Sequence, residues 1–88
     1  TMTIATQTEE LVNYQNVLAI TQAEGTVDDD NGGIRNAYAV IATLVNGEDM
    51  QLGVYDTDVD CGNAYENLKK WLKAGVNSMF EMPIPEGN

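Results

Sequence analysis

The fold is decided by residues 38–55, whose sequence is YAVIATLVNGEDMQLGVY. Two apolar runs flank Asn46 and Gly47, and an Asn-Gly pair between such runs is the strongest short-range signal for a β-hairpin. The first run is apolar on both faces, which is typical of a central strand. We therefore expect a hairpin at the centre of an antiparallel sheet.

The length of the turn decides which side chains share a face of this hairpin, because side chains alternate between the faces of a strand. A three-residue turn at 45–47 with a glycine bulge collects seven apolar side chains on one face, and we favour it for that reason. Those seven are Tyr38, Val40, Ala42, Leu44, Met50, Leu52 and Val54. A two-residue turn would instead set the last three beside Ala39, Ile41 and Thr43. In the favoured register the opposite face shows Ile41, Val45 and Tyr55, a candidate surface for self-association.

A helix is predicted after the hairpin, from Thr57 to Gly75. Thr57 is a favourable N-cap with Asp60 three residues on, and Gly75 suits a left-handed C-cap. The apolar positions recur at the spacing of a buried helical stripe. They are Cys61, Ala64, Tyr65, Leu68, Trp71 and Leu72.

The flanking segments carry weaker signals. Residues 1–24 suggest two or three short strands in a meander, with an amphipathic helix over Glu9–Ile20 as the alternative. The segment EGTVDDDNGG at 24–33 has the composition of a flexible acidic loop. Ser78–Met82 is predicted to return as a short strand, and 83–88 as a frayed tail because Pro83 and Pro85 interrupt it.

These elements predict one α+β domain over residues 1–88. It has an antiparallel sheet of about four to six short strands and one α-helix near the C-terminus packed on one face. The other face of the central strand needs cover, either from the N-terminal strands folding over as a small barrel or from a second subunit.

The charge balance restricts the partners. The chain has 14 acidic residues, four basic residues and a net charge of -10. All but two of the acids lie in residues 1–68, where Arg35 is the one basic residue. Such a surface repels phosphate backbones and anionic lipids, so we expect neither direct nucleic-acid binding nor membrane binding. A protein with a basic surface is the expected partner.

Missing residue types argue against catalysis and cofactors. The chain has no His, one Cys (Cys61) and one Ser (Ser78). His-based metal sites and Ser-His catalysis are therefore excluded, and we predict no enzymatic activity, metal or cofactor. Asp28–Gly33 matches an EF-hand loop only in part, because the twelfth position is Ala39 instead of a bidentate Glu. The lone thiol fits a small buried core residue and a cytoplasmic location.

The order of motifs resembles that of small proteins from Gram-positive bacteria and their phages and prophages. The matching stretches are Ala42–Glu48 (ATLVNGE), Leu52–Thr57 (LGVYDT), the helix, and Phe80–Pro83 (FEMP). Ala5–Gln7 and Val12–Val17 also look like the opening strands of these proteins. The acidic loop and Gly62-Asn63 depart from their pattern. The resemblance implies a mobile-element origin, and therefore host-cell cytoplasm, but implies no activity or site residue.

Three functional hypotheses follow. The first is a non-enzymatic protein that docks on a basic partner surface, as an anti-defence inhibitor or nucleic-acid mimic would. Its candidate contacts are Glu9, Glu10, Glu24, Asp28, Asp29, Asp30, Glu48 and Asp49. The second is a homo-oligomer that sequesters a nucleotide-like molecule, with candidate anion contacts at Arg35, Lys69, Lys70 and Lys73. The third is an accessory structural subunit.

Overall fold

The computed structural model describes residues 1–85 as an α+β fold of two three-stranded sheets, one α-helix and a short 3₁₀ helix at Tyr14–Asn16. The elements are β1 (Thr3–Ala5), β2 (Leu11–Asn13), β3 (Val17–Asp28), β4 (Ile34–Leu44), β5 (Asp49–Tyr55), α1 (Asp58–Ala74) and β6 (Met79–Glu81). The predicted α+β class is confirmed. The structure has two sheets where one antiparallel sheet was predicted. The β3-β4-β5 sheet is antiparallel, whereas the β2-β1-β6 sheet includes one parallel pair, β1 with β6.

The central hairpin forms with the favoured three-residue turn. The Leu44 N–H donates to the Glu48 carbonyl at 2.8 Å, Ala42 lies opposite Met50, and Gly47 has a φ of 89°. A turn of this kind needs a residue with positive φ, which glycine adopts without strain. The register of the hairpin near its turn is therefore as the sequence predicts.

A β-bulge at Leu52 changes the register farther along β5. Gln51 lies opposite Ile41, but Gly53 lies opposite Val40, so Leu52 is the extra residue. Beyond the bulge the side chains exchange faces: Tyr55 is 2% exposed in the core, whereas Val54 is 36% exposed. The placement of Tyr55 on the second face, and of Val54 in the core, was wrong.

The predicted loop over 24–33 was wrong for its first half. β3 continues through Glu24 to Asp28, and the turn comprises 29–33. Val27 lies opposite Arg35 and Thr26 opposite Asn36, so backbone pairing with β4 overrides the loop-like composition of this segment. The result is a long hairpin whose tip carries the three consecutive aspartates, Asp28–Asp30.

The helix is as predicted, and both of its ends are capped. The Thr57 hydroxyl accepts from the Asp60 N–H at 3.1 Å, and Gly75 adopts a φ of 66° as the C-cap. Cys61, Ala64 and Leu68 are buried, while Tyr65 and Leu72 are half-buried beside them. The stripe holds α1 on one face of the β3-β4-β5 sheet.

The hydrophobic core lies between this sheet, α1 and the smaller sheet. Side chains from all three meet in one cluster that includes Ile4, Val12, Val40, Leu52 and Leu68. The N-terminal strands thus pack on the helix side of β4. On its other side, β3, β4 and β5 alone line a shallow depression of about 220 Å³ that includes Ile41. Val45, in the turn, is 60% exposed.

Candidate functional site

The β5 strand is an edge of its sheet, and Gln7 covers part of that edge. The Gln7 N–H donates to the Leu52 carbonyl at 3.0 Å, and its side-chain oxygen accepts from the Val54 N–H at 2.7 Å. Its side-chain nitrogen donates to the Pro83 carbonyl at 2.9 Å. Gln7 therefore links three segments of the chain along the side of β5 that faces away from β4.

Tyr55 completes this link from the core. Its hydroxyl donates to the same Pro83 carbonyl at 2.8 Å, and burial raises its pKa to about 12. Pro83 is thus anchored, so the prediction of a tail frayed from 83 was wrong at its first residue. Ile84 is 70% exposed, and the part of that prediction at 86–88 lies outside the described residues. Gly53 allows the close approach, because a Cβ there would lie 2.8 Å from the Tyr55 hydroxyl oxygen.

We expect Gly53→Ala to lower the free energy of unfolding by about 2 kcal/mol, because the added methyl displaces Tyr55 and Gln7 from this link. Urea denaturation measures the change. Gly62→Ala is the matched control: a Cβ there meets nothing within 4 Å, and Ala in a helix should raise stability by about 0.5–1 kcal/mol. Equal effects of the two substitutions would contradict the packing at Gly53.

The rest of the β5 edge is open. In an antiparallel ladder, residues alternate between facing the partner strand and facing away from it. Because Glu48 bonds to Leu44 and Met50 lies opposite Ala42, the N–H and C=O groups of Asp49 and Gln51 face away from β4. No hydrogen bond within residues 1–85 occupies these backbone groups. Two residues of backbone are thus available to an added strand.

Carboxylates surround this open edge. A groove of about 480 Å³ runs along β5, and Glu10, Glu48 and Asp49 are among the residues that line it. Each carboxylate accepts from a neutral donor: the Thr8 hydroxyl at 3.2 Å, the Asn46 amide at 3.3 Å and the Thr43 hydroxyl at 2.8 Å, respectively. These bonds orient the carboxylates without neutralising them.

The other predicted acids lie elsewhere. Glu9 is exposed beside Glu10, and Glu24 lies within β3. Asp28–Asp30 occupy the far hairpin tip, roughly 30 Å from Glu48 given the rise per residue along β4. There the Asp29 carboxylate accepts from the N–H groups of Gly33 and Asn31, each at 2.9 Å, and these bonds lower its pKa. The eight acids therefore do not form one patch.

The eight candidate acids form no ion pairs with basic side chains of the described residues. Within the described part of the chain, Arg35 pairs with Asp56 at 3.4 Å and Lys69 with Glu66 at 3.2 Å. Neither acid belongs to the eight candidate contacts. None of those eight forms an ion pair with Lys or Arg across residues 1–85. No salt bridge within the described residues therefore competes with a partner for these eight carboxylates.

The predicted basic residues do not come together. Arg35 pairs beside the start of α1, whereas Lys70 and Lys73 lie near its end, roughly 20 Å away along the helix. The four basic side chains therefore form no single anion pocket on one subunit. This separation weakens the hypothesis of a nucleotide-like ligand.

Cys61 is a core residue. Its side chain is buried, and burial raises the pKa of the thiol, with a smaller contribution from the nearby Asp58 carboxylate. A protonated, enclosed thiol is a poor nucleophile. Among the described residues, no cluster of three or more His, Cys, Asp or Glu side chains has the arrangement of a metal site.

The sequence identified the acidic residues of the groove as candidate contacts, but it did not indicate that they line a common groove. Gln7 and Thr8 lie far from β5 along the chain, and no local pattern marks them as its neighbours.

Comparison with protein-family models, curated proteins and solved structures finds no match. Within residues 1–85, no helix is long and apolar enough to span a membrane.

Proposed function

We propose that this chain is a non-enzymatic acidic protein that docks on a basic surface of a partner protein. The groove along β5 receives an extended basic segment of that partner as an added strand. The supporting observation is the combination of open backbone groups at Asp49 and Gln51 with the unneutralised carboxylates of Glu10, Glu48 and Asp49. Strand addition draws affinity from main-chain hydrogen bonds and specificity from alternate side chains.

The charges support a basic partner in two ways. Lys or Arg side chains on the added strand would lie beside the three carboxylates, where charge-assisted hydrogen bonds are stronger than neutral ones. The net charge of -10 would also attract such a partner over longer distances and speed its association at low salt.

Binding is favoured over catalysis because the chain offers little catalytic chemistry. It has no His, and its one Cys is enclosed in the core. The resemblance to phage and prophage proteins favours a partner among the basic proteins of a host cell. A nucleic-acid-binding defence protein in the cytoplasm is the version we favour, because its basic surface would accept an acidic mimic.

A short basic peptide tests this proposal. We expect an acetylated Lys-Thr repeat of eight residues to bind, with a dissociation constant that rises about tenfold or more between 50 and 300 mM salt. A Glu-Thr repeat of equal length should not bind. Isothermal titration calorimetry measures both. Equal affinity for the two peptides, or affinity for neither, would contradict a basic-strand groove.

A further inference from the structure

The opposite edge of the same sheet, along β3, is also open. β3 pairs with β4 on one side, and no hydrogen bond within residues 1–85 occupies the other side of its backbone between Leu18 and Asp28. At the hairpin end, the Asp29 N–H donates to the Gly33 carbonyl. By alternation, odd-numbered residues of β3 face β4, and Ile20, Gln22, Glu24 and Thr26 direct their N–H and C=O groups outward.

This edge has few of the features that keep an edge strand from pairing with another strand. Proteins protect such edges with Lys, Pro, short strands, bulges or a covering segment. β3 is 12 residues long, contains no Lys, Arg or Pro, and its one irregularity lies at its start, near Leu18. By contrast, Gln7 covers part of the β5 edge. A long, bare edge of this kind is suited to pairing with another strand.

We propose that β3 pairs antiparallel with β3 of a second copy, with the two-fold axis at Gln22, which joins the two β3-β4-β5 sheets into one six-stranded sheet. A closed, self-complementary contact of this kind is the commonest arrangement of homo-oligomers. It uses the edge opposite the acidic groove. The proposal therefore stands independently of the proposed function, and both surfaces can be occupied at once.

Charge favours the register centred on Gln22. Centred on Gln22, the pairing sets Glu24 of the second copy opposite Ile20. A centre at Glu24 would instead place the two Glu24 side chains opposite each other, where they would repel. Ile20 and Lys69 line the same small cavity of about 50 Å³ between β3 and α1. Glu24 of the second copy thus lies beside Lys69, which also pairs with Glu66 of its own helix at 3.2 Å, and symmetry repeats the arrangement. Lys69 is the basic residue of α1 in that cavity.

A charge swap tests the register. We expect the wild-type chain to be a dimer by sedimentation equilibrium at about 100 μM and physiological salt. Lys69→Glu and Glu24→Lys should each raise the dimer dissociation constant about tenfold, because each sets like charges together. The double variant should recover most of the loss. Lys70→Glu, with the same charge change on the next residue of α1, should have a much smaller effect.

Cross-linking tests the axis directly. In a Cys61→Ala background, Gln22→Cys should form a disulfide-linked dimer on mild oxidation. Residues opposite each other in a hydrogen-bonded pair have Cα atoms about 5.5 Å apart, within the range of a disulfide. Thr26→Cys should not cross-link, since it lies opposite Leu18 of the second copy.

Either of two results overturns this inference. The first is a monomeric wild-type chain at about 100 μM. The second is a dimer in which the charge swap recovers nothing and the Gln22→Cys variant does not cross-link, because such a dimer would use another surface. Neither result affects peptide binding at the β5 groove, so failure of the dimer and failure of the proposed function are distinguishable.

Discussion

Leu52→Ala should lower the free energy of unfolding by about 3 kcal/mol, measured by urea denaturation. Leu52 is 0% exposed and packs in the cluster that joins the two sheets and α1. Truncating a fully enclosed Leu removes its burial and leaves a cavity, which together cost about 2–5 kcal/mol in other proteins. For a domain of this size, the loss is a large part of total stability.

Val54→Ala is the matched control on the same strand. In a regular strand, Leu52 and Val54 would share the core face, and both substitutions would be costly. The bulge at Leu52 turns Val54 outward, where it is 36% exposed, so we expect a loss of about 0.5–1 kcal/mol. A loss at Val54 equal to that at Leu52 would contradict the bulge.

The second large effect concerns binding. The double substitution Glu48→Gln and Asp49→Asn should weaken binding of the Lys-Thr peptide about tenfold, because it removes two negative charges from the groove. Both replacements keep an oxygen that can accept the existing bonds from Asn46 and Thr43. Calorimetry on folded variants of unchanged melting temperature measures the loss.

Asp28→Asn with Asp30→Asn is the control for charge. It also removes two negative charges, but from the far hairpin tip, and neither of these carboxylates makes a hydrogen bond or ion pair within residues 1–85. We expect a change of about twofold or less, the part due to long-range attraction alone. A larger loss from the tip than from the groove would move the binding site to the tip.

The sequence predicted those parts of the fold that local signals specify. Asn46-Gly47 set the turn, and Thr57 and Gly75 marked the ends of α1, because turns and caps depend on a few neighbouring residues. The bulge at Leu52 was missed because Gly53 is its one local signal. The requirement for glycine there comes from Tyr55 and Gln7, which only tertiary packing brings to it.

The sequence predicted which type of residue would form the candidate contacts, but not where in the fold these residues lie. Composition identified the acids and their excess, yet it could not show that Asp28–Asp30 and Glu48–Asp49 lie at opposite ends of β4. It also indicated a loop at Glu24–Asp28, so the long β3 edge was missed. Edges and grooves arise from strand order, which joins segments distant in the sequence.

Backbone amide NMR of the labelled chain, titrated with the Lys-Thr peptide, tests strand addition at β5 residue by residue. We expect the amides of Asp49 and Gln51 to shift most and to become protected from hydrogen exchange, because they donate to the added strand. Shifts concentrated at the hairpin tip, 28–33, with Asp49 and Gln51 unprotected, would contradict strand addition at β5.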